Sequence, residues 1–167
     1  MTSIPTDPEY DCDAEAISWL RREKEDAQYE YKIDHIQDQE FIDRRYNELS
    51  GHLAQRHAGL YRNACLGLAA YSVVNKHWHV AYEYILDILF FDTCGGYNAH
   101  PNYECFDKQM CDTVPFIVWQ LAHVSGQLGY ESDQVERDFS TRWARFPTLS
   151  TPPISPEKAW KRIIKTK

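Results

Sequence analysis

The chain has 167 residues and a mass of 19.6 kDa, long enough for one domain with a substantial core. Hydrophobic residues make up 43% and charged residues 26%, which excludes a disordered chain; seven glycines and eight prolines exclude a collagen-like or linker-dominated one. The net charge of −7 is uneven: residues 155–167 carry five cations against Glu157, leaving 13 basic and 24 acidic side chains (−11) over the other 154 residues, a body that repels phosphate backbones and attracts basic partners.

Asp7-Pro8-Glu9 reads as a helix start, with Asp11 and Asp13 as later alternatives. Ile17, Leu20, Ala27 and Tyr31 follow at helical spacing on an otherwise charged segment, which predicts a surface helix with a narrow apolar stripe. Ile42, Tyr46, Leu49, Leu53, Leu60 and Ala64 extend the pattern. Gly51 and Gly59 predict at least one break between 33 and 60, and Ser50 offers a cap for a new helix. The segment 61–74 is apolar on most sides and predicts a central helix. Asn75 suits the left-handed residue that ends it. Val80, Ala81, Tyr84, Ile85, Ile88 and Leu89 mark the next helix, stopped by Gly95-Gly96.

Residues 95–111 read as an irregular loop. Asp112 or Thr113 caps a helix with Pro115 in its first turn, which carries Ile117, Leu121, Val124 and Leu128 and stops at Gly129. Ser132 caps another, with Val135, Phe139, Trp143 and Phe146. Four prolines make 147–156 an extended linker, and Ser155-Pro156-Glu157 starts a short basic helix with Ala159, Trp160, Ile163 and Ile164 as its apolar residues. No segment alternates as a strand does. The expectation is an all-α fold of six to eight helices in antiparallel hairpins or an irregular bundle: a helical domain over 1–146, a linker over 147–156 and a C-terminal helix over 157–167. That last helix is expected to dock back onto the acidic body rather than on an anionic membrane.

Residues 60–92 resemble a tetratricopeptide-type helical hairpin. Leu66-Gly67 and Tyr71 stand near that repeat's Leu-Gly and first-helix aromatic, and Asn75 falls at the turn. Trp78 and Ala81 match the aromatic and small residue of the second helix; Ile85 and Ile88 match its packing positions. Small residues let two antiparallel helices approach, and aromatics fill the groove beside them. The spacings from Gly67 to Tyr71 and from Tyr71 to Ala81 are each one residue longer than the repeat's, and Gly-Gly replaces its closing proline. The resemblance covers about a fifth of the chain. It implies an interaction scaffold rather than an activity.

The sequence contains no Cys-x-x-Cys, His-Glu-x-x-His, Gly-x-Gly-x-x-Gly, Walker-type loop or Gly-x-Ser-x-Gly. Cys94, His100, Cys105 and Cys111 form the best metal candidate, since sulfur and imidazole suit tetrahedral zinc, but their spacing matches none of the usual knuckles. His77 and His79 are two apart and point to different helix faces. His79 with Glu83, and Glu48 with His52, are four apart and read as surface ion pairs. Asp87, set among apolar residues, is either on an exposed edge or buried with a partner such as Arg62. Trp119, Tyr130 and Trp143 are expected in the core, or on a partner surface if exposed.

Uninterrupted apolar runs reach only about four residues, as at 88–91, so no transmembrane helix is expected. Residues 1–10 lack both cations and an apolar stretch, so no secretory signal is expected there. An odd count of five cysteines favours free thiols and a cytoplasmic location. The first functional expectation is a protein–protein interaction module, an acidic inhibitor or adaptor for a basic protein surface, with no catalytic residue, metal or cofactor assigned. The alternatives are a metal-dependent enzyme or zinc-stabilised domain using the 94–111 segment, and a structural subunit of a homo-oligomeric assembly.

Overall fold

The computed structural model describes residues 3–54, 58–94, 103–142 and 155–165, with side chains for all of these except 58–59, 94 and 103–115. Among the described residues the chain is all-α, with seven helices and no strand. These are α1 (Cys12–Tyr31), α2 (Asp38–Ala54), α3 (Ala58–Val74), α4 (Trp78–Cys94), α5 (Tyr103–Leu128), α6 (Ser132–Ser140) and α7 (Pro156–Ile164). α3 sits at the centre of one half, packed by α1, α2 and α4. α4 joins it to the other half through α5, α6 and α7.

Local chemistry explains several helix ends. Asp11 caps α1 by accepting the Ala14 N–H at 3.0 Å. The earlier start at Asp7-Pro8 does not form: Asp7 Oδ1 accepts the Glu9 N–H and its carbonyl accepts the Tyr10 N–H, closing a turn. Three helices end in a left-handed residue with the paired hydrogen bonds of a Schellman cap. At α1 the residue is Lys32 (φ 56°) and at α5 it is Gly129 (φ 74°), where glycine takes the conformation without strain. At α3 it is Lys76 (φ 59°), not the expected Asn75; the His77 N–H reaches the Ser72 carbonyl at 2.8 Å, while the Asn75 side chain donates to the Tyr71 carbonyl instead. Ser155 caps α7 by accepting the Lys158 N–H, with Pro156 in the first turn, as the sequence predicts.

Four further expectations change. α2 runs through Ser50 and Gly51 to Ala54, so Ser50 caps nothing; the expected break between 33 and 60 is present at 33–37, ahead of α2. Helical backbone resumes at Tyr103, so 103–111 is not loop, and Pro115 lies inside α5. A proline there removes one backbone donor and costs about 3 kcal/mol. The rest of α5 offsets that by burying Ile117, Val118, Leu121 and Val124. Ser132 does not cap α6, whose N-cap is Glu131; its hydroxyl accepts the Ile4 N–H at 3.3 Å and ties down the N-terminal segment.

The fourth change concerns which faces are buried. α1 buries Ala16, Trp19, Leu20 and Ala27 and leaves Ile17 exposed. α2 buries Phe41, Arg45 and Leu49; of the predicted stripe Leu49 is buried and Ile42 half-buried, while Tyr46 and Leu53 are exposed. Leu60 and Val80 are exposed as well. α3 is buried nearly all round and its Ala64, Ala69 and Ala70 admit close neighbours. Gly67 marks the tightest approach: a Cβ there would stand 3.0 Å from Phe41 Cζ and 3.4 Å from Glu23 Oε2. α7 docks on α4 and α6 through buried Ala159, Trp160 and Ile163, with the Trp160 and Phe139 rings 5.7 Å apart. The contact is apolar. Lys158, Lys161, Arg162 and Lys165 stay on the outside, where Lys161 shares a shallow cleft with Asp133 and Glu136. No helix of the described residues is long and apolar enough to cross a membrane.

Candidate partner-binding groove

Three buried charge clusters hold the helices in register. Between α1 and α2, Arg45 lies 2.8 Å from Glu48, 3.4 Å from Glu30 and 3.9 Å from Glu23. Burial, with Glu30 and Glu23 adding to it, raises Glu48 to about 7. Burial also raises Glu23, with Arg45 opposing. Glu23 and Glu48 therefore hold their protons more readily than exposed carboxyls do. Between α3 and α4, Arg62 grips Asp92 with two bonds of 3.0 and 2.9 Å. Burial pushes the Asp92 carboxyl up and the guanidinium holds it back.

The third cluster carries Asp87. It is fully buried, but its cation is Arg142 from beyond α6, not Arg62: Arg142 Nε lies 3.0 Å from Asp87 Oδ1. The Tyr61 hydroxyl donates to Asp87 Oδ2 at 3.5 Å. The same guanidinium bonds Glu83, one turn back along α4. Two acids on consecutive turns thus share a cation delivered by a distant helix end.

Above this cluster runs a groove of about 390 Å³. α2 and α4 both pack on α3 and, among the described residues, not to a comparable extent on each other. The gap between them is floored by Tyr61. Tyr46, Leu49 and Leu53 line it from α2; His79, Val80, Glu83 and Asp87 line it from α4. Three rim residues are apolar and open to solvent: Tyr46 is 61% exposed, Val80 45% and Leu53 40%. Scattered exposed apolar residues are ordinary, but three around one concavity form a patch of the kind partners cover.

A second cleft of about 310 Å³ lies between α1, α3 and α5. Its polar groups are committed internally: Glu15 accepts the Trp19 indole N–H at 2.6 Å, Glu23 faces Arg45, and Arg62 holds Asp92. Among the described residues, Phe116 is the one large apolar residue exposed on it. The acids of the α2–α4 groove are likewise committed to Arg142, and that groove is the stronger candidate for its three exposed apolar residues.

The other sequence candidates fall as follows. The Cys94, His100, Cys105 and Cys111 set lies outside the residues whose side chains are described, as does Trp143. Among the described residues no three metal-capable side chains converge. His79 and Glu83 share the groove, with Glu83 carried by Arg142 rather than standing at a simple surface pair. Glu48 belongs to the Arg45 cluster. Trp119 packs on Tyr10 and Phe116, and Tyr130 on Tyr82. Burial raises the Cys12 thiol to about 11, with Asp13 and Asp11 adding to it, so at neutral pH it is a protonated, poor nucleophile. The sequence reading missed the groove because Tyr46, Leu53 and Val80 were placed on packing faces. The available signal was that α2 carries two apolar stripes, Phe41 with Leu49 and Tyr46 with Leu53, and a helix on one neighbour needs only one.

No protein-family model, curated protein or solved structure matches this chain.

Proposed function

We propose that this protein is a binding module that receives a basic partner protein in the groove between α2 and α4. The observation that carries the reading is the exposed Tyr46, Leu53 and Val80 rim around one concavity. Apolar anchors around a concavity supply affinity. The net charge of −7 supports it, because a negative surface speeds encounter with a positive one. So does the likeness of residues 60–92 to a tetratricopeptide-type hairpin, a repeat whose stacked helices present grooves to other proteins. In this reading the protein acts as an acidic inhibitor or adaptor, and its work is done by occupancy.

The test is partner recovery from the native host with the wild-type chain and Val80→Asp in parallel. A partner retained by the wild type, lost with Val80→Asp and released between about 0.05 and about 0.5 M salt supports the reading. A partner held equally by both chains, or held without salt dependence, refutes it.

A further inference from the structure

We draw no further inference here: the strongest candidate, the apolar-rimmed groove between α2 and α4, belongs to the site already described, its two acids are bonded to Arg142, and nothing in the structure shows what covers it.

Discussion

Replacing Arg142 with methionine tests the architecture beneath the groove most directly. Asp87 is fully buried, and Arg142 stands 3.0 Å from it while also bonding Glu83. Met keeps much of the arginine stem's volume and takes from a buried carboxylate the cation 3.0 Å from it. Breaking a buried pair in this way costs about 3–5 kcal/mol, against a total stability of about 5–15 kcal/mol for a domain. Urea unfolding followed by far-ultraviolet circular dichroism at pH 7 should show that loss. Asp87→Asn combined with Arg142→Met removes both charges and should recover at least half of the loss, because an uncharged side chain can stay buried against the Tyr61 hydroxyl. A single-variant cost below about 1 kcal/mol, or a double variant no better than the single, would refute the claim that this ion pair holds the helix junction together.

The remaining predictions concern the first half of the chain. The raised Glu48 keeps its proton longer in the folded state than in the unfolded one, so its contribution to stability is complete below about pH 4.5 and is lost as pH rises to about 7. Glu48→Gln should remove that slope and leave the variant more stable at pH 8 by about 1–2 kcal/mol, the full linkage value having been reduced for solvent screening; equal melting temperatures at pH 8 would count against it. Gly67→Val should destabilise by about 1–3 kcal/mol, because its methyls would press on Phe41 and Glu23, whereas Gly51→Ala, with nothing within 4 Å, should stabilise by about 0.5–1 kcal/mol. Chemical denaturation of the pair checks the contrast, and a Gly67→Val chain as stable as wild type would show that α3 has room there. Lys76→Gly should raise stability by about 1 kcal/mol by relieving the left-handed backbone at the α3–α4 turn; a lowered denaturation midpoint would contradict the cap described there.

How far each feature was legible depended on the range of the interaction behind it. The 60–92 hairpin, the Gly129 stop and the Ser155-Pro156 start are written in neighbouring residues, since caps and periodicity act over one or two turns. The register of α2 is different. Phe41 with Leu49 and Tyr46 with Leu53 are both apolar pairs at helical spacing, and nothing within the helix chooses between them. The choice is made by α3: Phe41 fits over Gly67, and Arg45 on the same face finds Glu23 and Glu30 on α1. Burying that face turned Tyr46 and Leu53 outward and created the rim of the groove.

The amino-acid order by itself therefore determined an all-helical chain, its central hairpin and some of its helix ends, because these follow from backbone hydrogen bonds and local side-chain chemistry. Tertiary structure alone decided that Asp87 is buried, that its cation is Arg142, and which apolar face of α2 meets solvent. Those outcomes depend on which helices converge on α3 and α4 and on the need to pair a charge once water is gone, and neither condition exists until the helices have come together.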